Sequence, residues 1–128
     1  MSPFLDDGWF DLLEEAAGDL PEVAGASADV VVVVADAPKG GVRAHLTIED
    51  GRLVSLAPRS DGDDPLELSC PYDLASAIVR GETTVSVAFM RGALKVSGNM
   101  SALYRILPLT DDQPFIELLR TVAARTEF

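Results

Sequence analysis

Hydrolysis, group transfer and redox chemistry need a nucleophile, an acid–base pair or a metal set, and this chain offers few groups for any of them. His45 is the single histidine. No histidine pair is therefore available to hold a metal, and a triad would need a nucleophile and an orienting acid converging on that one ring. Its place between Arg43 and Thr47 in an alternating stretch suggests a surface or half-covered position. Cys70, the only cysteine, precedes Pro71 and reads as a small buried residue, because a reactive thiolate needs a positive neighbour. The pairs Asp63-Asp64 and Asp111-Asp112 lack the spaced oxygens and closing glutamate of a calcium loop and read as solvated turns. Gly40-Gly41 and the stretch from Gly92 to Gly98 are not followed by the lysine and hydroxyl residue of a phosphate cradle. No catalytic residue, metal or cofactor is assigned.

What is left is charge and apolar surface. The chain has 128 residues, 48% of them hydrophobic, with a net charge of -11. It can bury a substantial core. The acidity predicts repulsion of phosphate backbones and of anionic lipid surfaces, so nucleic acid is not expected as a partner. The charge is uneven, however. Residues Cys70 to Leu109 carry Arg80, Arg91, Lys95 and Arg105 against Asp73 and Glu82, a local +2 that leaves -13 for the rest. These cations either solvate helix ends and a strand face or receive an anionic head group, with Arg80, Arg91 and Arg105 as the candidate contacts.

The elements that would position such groups follow from periodicity. Ser2-Pro3 predicts a helix start, with Leu5, Trp9, Leu12, Leu13 and Ala16 at helical spacing up to Gly18; Trp9 on that stripe reads as core. The β-branched run Asp29 to Ala35 predicts a strand covered on both faces. Val42, Ala44, Leu46 and Ile48 alternate as a second strand after the Pro38 to Gly41 turn. Asp50-Gly51 predicts a tight hairpin that places Glu49 opposite Arg52 and Ile48 opposite Leu53 and carries that register to Ala57. Residues Pro58 to Pro65 read as a polar acidic loop, and Leu66 to Ser69 as a fourth strand. Pro71 opens a helix with Leu74, Ala75, Ile78 and Val79 on one stripe, closed by Gly81.

Periodicity is ambiguous over Thr84 to Met90. Val85, Val87 and Phe89 alternate as in a strand, yet Thr84 can cap a helix, Gly92 can end it, and Val85 and Phe89 lie four apart. Leu94 and Val96 share a strand face, Gly98 releases the strand, and Asn99 caps a helix bearing Leu103, Ile106 and Leu107. Beyond Pro108 a last helix is expected over about residues 114–125, with Phe115, Leu118, Leu119 and Val122 as its apolar stripe and Arg120 and Arg125 towards its C-terminus.

The segments Ala88-Phe89-Met90-Arg91-Gly92 and Ala93-Leu94-Lys95-Val96-Ser97-Gly98-Asn99-Met100, running into Leu103, resemble the C-terminal half of the sterol carrier protein two family of non-specific lipid-transfer domains. The opening Phe4-Leu5-Asp6-Asp7-Gly8-Trp9 is similar to the start of bacterial stand-alone members. The resemblance implies a short helix at residues 84–90 and an α+β fold: a mixed five-stranded sheet with helices packed on one face and an apolar cavity between the layers. It implies one sterol-carrier-like domain over residues 1–128 with an added C-terminal helix. The expected function is non-catalytic carriage of a fatty acid, sterol or similar lipid. The expected cavity wall, placed by position, is Ile78, Val79, Phe89, Met90, Met100, Leu103, Ile106 and Leu107. A tail burying ten methylenes would gain about 8 kcal/mol before association costs, a gross figure near micromolar affinity.

The alternatives are an interaction or regulatory module with a filled cavity, using the acidic surface or the last helix for a protein partner, and an accessory domain of a lipid-modifying enzyme. Lone Cys70 suits a reducing cytoplasm, the acidic N-terminus lacks a signal peptide's basic region, no run approaches a membrane span, and Thr126-Glu127-Phe128 is not a peroxisomal address. A cytoplasmic location is expected.

Overall fold

The computed structural model describes residues 2–38, 40–58 and 65–128. Lys39 of the first turn, and residues 59–64 of the acidic loop with Asp63-Asp64, lie outside the described residues. The elements in chain order are β1 (Ser2–Pro3), α1 (Asp7–Ala17), β2 (Ala28–Ala35), β3 (Val42–Glu49), β4 (Arg52–Pro58), β5 (Leu66–Pro71), α2 (Tyr72–Arg80), α3 (Val85–Met90), β6 (Lys95–Gly98), α4 (Met100–Ile106), a 3-10 helix (Leu107–Asp111), α5 (Gln113–Ala124) and β7 (Thr126–Glu127). Strands β2 to β6 form a five-stranded mixed sheet in the order β4-β3-β2-β5-β6, in which only β2 and β5 are parallel. The fold is α+β, with the helices packed on one sheet face.

Strand β2 is central, as its β-branched run suggests, but helices cover only one of its faces. Ala28, Val30, Val32 and Val34 point to the helices. On the other face Arg43 pairs with Glu67 at 3.2 Å and His45 approaches Asp29 at 3.4 Å. Val31 is nonetheless fully buried, flanked in register by His45 and Glu67 on the two neighbouring strands. A β-branched run thus reflects central position here rather than coverage by two layers.

The hairpin forms where expected, with Asp50 and Gly51 both at positive φ, Glu49 opposite Arg52 and Ile48 opposite Leu53. The register does not continue to Ala57. A bulge at Val54 pairs Thr47 with Ser55 and Leu46 with Leu56. Leu53 and Leu56, three residues apart, could not share a face of a regular strand; the extra residue turns both towards the helices and leaves Val54 exposed.

The N-terminal helix starts later than Pro3 suggests. Leu5 takes φ 69°, and Ser2–Pro3 instead pairs in parallel with Thr126–Glu127. Phe4 N–H donates to the Glu127 carbonyl at 2.9 Å, and the Phe4 ring packs against Trp9, Tyr72 and Phe128 with centroids 4.9, 5.5 and 5.3 Å away. Trp9 Nε1 donates to Thr126 Oγ1 at 2.9 Å, and that hydroxyl donates to the Val122 carbonyl at 2.6 Å. The two chain ends are thereby clasped, a contact between residues 117 apart that no local pattern encodes.

Residues Val85–Met90 are helical, not a strand. Thr84 Oγ1 accepts from Val87 N–H at 3.1 Å, and Gly92 at φ 73° turns the chain out. Asn99 likewise caps α4, accepting from Ala102 N–H at 3.3 Å. Pro71 stands just before α2 as its N-terminal cap position rather than within its first turn. Among the described residues no helix is long and apolar enough to cross a membrane.

Candidate functional site

The inward residues of the sheet and the helices laid over them do not close on each other completely. Between the layers lies a cavity of about 250 Å³. Its floor is the alternating set on the helix side: Val30, Val32 and Val34 of β2, Val42, Ala44, Leu46 and Ile48 of β3, and Leu68 and Cys70 of β5. Its roof is Trp9 and Leu13 of α1, Ile78 and Val79 of α2, Leu103 and Ile106 of α4, and Phe115 of α5. An adjoining cavity of about 220 Å³ under α1 and α5 shares Trp9, Leu13, Leu46, Ile48, Ile106 and Phe115 and extends to Leu20, Leu53, Leu109 and Leu118.

Among the described residues no charged side chain lines the larger cavity. Among the described residues its heteroatom side chains are Trp9, whose indole N–H is already bonded to Thr126, Thr110, whose hydroxyl donates to the Leu107 carbonyl at 2.7 Å, and Cys70. Burial pushes the Cys70 thiol up, since removal from water disfavours the thiolate. The described wall suits apolar matter.

A third space, a groove of about 390 Å³ between α2 and α5, is different in character. It shares Ile78, Val79, Val85, Thr110 and Phe115 with the apolar cavity, and its rim carries Arg80, Arg120, Thr83 and Thr84. Arg80 lies with its guanidinium carbon 4.4 Å from the Phe128 ring centroid and its Nη1 3.9 Å from Glu82 Oε2; Arg120 pairs with Glu117 at 3.0 Å. Both remain largely in water, with side chains 46% and 69% exposed.

Ile78, Val79, Leu103, Ile106 and Leu107, expected as walls, stand around the larger cavity. Phe89, Met90 and Met100 do not line it. Phe89 is half-buried among Leu68, Val96 and the α4 core. Met90 is 75% exposed because α3 turns Ala88 and Phe89 inwards and the next position, about 100° on, faces water. Met100 is the first residue of α4, outside the inward stripe of Ala102, Leu103 and Ile106. The three candidate head-group cations do not converge: Arg80 borders the groove, Arg91 is exposed beyond the end of α3, and Arg105 donates from Nε to the Ser27 carbonyl at 3.0 Å. Sequence reasoning passed over Arg120, read as a helix-end charge, and over Trp9 and Phe115, read as packing residues; the strand floor was visible as alternation but not as a cavity wall.

Residues 10–110 match the SCP-2 sterol transfer family. The chain belongs to this family. Helix α5, which roofs the cavity through Phe115, lies beyond the matched residues of this SCP-2 chain. No curated protein sequence matches it. Among solved structures it is similar to a Thermus thermophilus protein described as a possible sterol carrier protein, at TM-score 0.63 and 16% identity, covering 100% of this chain and 93% of that one. It is also similar to palmitated sterol carrier protein 2 like 2 from Aedes aegypti, at TM-score 0.62 and 11% identity over 88% and 96% of the two chains. A third likeness is to the inverting sec-alkylsulfatase Pisa1 from Pseudomonas sp., at TM-score 0.53 and 20% identity; 84% of this chain corresponds to only 17% of the enzyme. These likenesses show the shared fold.

Proposed function

We propose that this chain, as one domain, binds and carries a hydrophobic ligand of the fatty-acyl or sterol class in the cavity between sheet and helices, without catalysis. The observation that carries the reading is a cavity of about 250 Å³ with no charged side chain among the described residues of its wall. At about 24 cal/mol per Å³, a cavity of that volume costs about 6 kcal/mol relative to a packed core. That is comparable with the whole net stability of a small domain, about 5–15 kcal/mol, so it is not a minor packing defect. An apolar tail filling it returns that contact energy and excludes water that would find almost no polar partner there.

The groove beside Arg80 and Arg120 supplies the polar end. A carboxylate at the rim can compete for these exposed guanidinium groups while its tail passes Ile78 and Phe115 into the cavity. Arg80 remains the head-group contact, joined by Arg120 in place of Arg91 and Arg105. The lone buried Cys70 is compatible with work in a reducing cytoplasm.

Delipidated protein titrated with a fluorescent fatty acid, and separately with a fluorescent sterol, tests this. Saturable one-to-one binding at about micromolar concentration is expected for at least one of them. Absence of saturable binding for either would refute the carrier reading and favour an interaction module with the same fold.

A further inference from the structure

The larger apolar cavity, the adjoining cavity under α1 and α5, and the groove beside Arg80 and Arg120 meet at two side chains. Among the described residues Thr110 and Phe115 line all three spaces. Thr110 is tied down, since its hydroxyl donates to the Leu107 carbonyl at 2.7 Å. Trp9, the other aromatic wall of the two cavities, is 5% exposed and held by its N–H to Thr126. The Phe115 ring is half-buried and, being hydrocarbon, has no hydrogen bond to hold it.

The backbone beneath that ring is fixed. Phe115 lies in the first turn of α5, directly after Pro114, and its N–H donates to the Asp112 carbonyl at 3.1 Å. The ring therefore moves only by rotation of the side chain, between the χ1 wells near 180° and −60° that a helical aromatic favours. The volumes give this ring its consequence. Sites for drug-sized ligands begin at about 300 Å³. The two cavities measure about 250 and 220 Å³, so neither reaches that size alone, whereas the two joined exceed it.

We propose that Phe115 is the specificity-determining residue of this site. Its ring partitions the two cavities and closes them from the groove, so that a flexible acyl chain threads into one of them while a rigid fused-ring sterol is excluded. The inference rests on the carrier reading for its ligands and narrows them to the acyl class. Phe115 lies outside residues 10–110, the part of the chain that matches the family. Opening the partition needs no movement of the sheet or of a helix, only of one ring.

Trp9, the only tryptophan, lines both cavities but not the groove, and it reports on the partition without any ligand. Phe115→Ala should let acrylamide reach Trp9 from the groove and raise its fluorescence quenching constant several-fold. Ile116→Ala, next in the chain but lining only the groove, should leave quenching as in the parent. In titrations with a fluorescent fatty acid and a fluorescent sterol, the parent should bind the fatty acid more tightly. Phe115→Ala should shift the ratio of the two affinities towards the sterol by at least about tenfold, the least that one methylene in an apolar pocket decides. Phe115→Leu should move both readouts the same way by a smaller amount, and it replaces the alanine variant where that does not fold. Unchanged quenching, an unchanged ratio, or a parent that prefers the sterol would overturn the proposal. Binding of neither ligand by the parent would instead refute the carrier reading, and quenching alone would then decide whether Phe115 is a partition.

Discussion

Ala44→Leu separates a ligand cavity from an ordinary core by sign. Ala44 is 2% exposed at the centre of the cavity floor, and leucine adds three carbons there. If they enter the cavity they bury about 0.8 kcal/mol each, a stabilisation of about 2.4 kcal/mol before small adjustments. For a chain of this length that is a rise in Tm of about 5–10 °C. The same three carbons exclude an equal part of the ligand tail, a loss of about 2.4 kcal/mol and about 50-fold in affinity. Stability and binding therefore move in opposite directions. Thermal unfolding by circular dichroism gives the first. Fatty-acid titration gives the second, and Trp9, the only tryptophan and a wall residue of both apolar cavities, is an internal reporter. In a close-packed core the extra carbons would instead strain their neighbours by about 1–3 kcal/mol. A lower Tm with unchanged affinity would refute the reasoning.

Other variants address the frame around the cavity. Thr126→Val removes the acceptor of the buried Trp9 N–H and should cost about 1–3 kcal/mol in urea unfolding; an unchanged midpoint would mean the clasp contributes nothing. Gly98→Ala places a Cβ on the Pro65 carbonyl at a residue with φ 83°, and a destabilisation of at least about 1–3 kcal/mol is expected, checked by calorimetry. Cys70, with its thiol pushed up by burial, should react with iodoacetamide more slowly than a free thiol at pH 8 and recover the ordinary rate in urea. Because the folded state holds that proton more tightly than the unfolded chain, Cys70 should make stability fall as pH rises above about 8.5, and Cys70→Ser should flatten that part of the curve.

Local signals were enough wherever one residue's chemistry closes one turn. Thr84 and Gly92 delimit α3 in spite of the alternation of Val85, Val87 and Phe89, because a side-chain acceptor for Val87 N–H acts within three residues. Asp50-Gly51 makes its hairpin for the same reason, both residues accepting positive φ. The failures all involve partners distant in sequence. The bulge at Val54 answers the need of Leu53 and Leu56 for a shared layer, and Pro3 leaves the helix because residues 126 and 127 offer it a strand. Position under the family resemblance puts Met90 and Met100 at the cavity wall, whereas α3 and α4 turn them outwards.

The order of residues alone determined that the sheet side of the larger cavity would be apolar, because the inward positions of β2, β3 and β5 carry only hydrocarbon side chains and one thiol. It also determined that one segment of an acidic chain would be free of carboxylates. Tertiary structure decided which apolar residues surround a space and which fill one, since core and cavity wall share a composition and differ only in how far the helices stand from the sheet. It also decided that Arg80 and Arg120, forty residues apart in the chain, would border one groove.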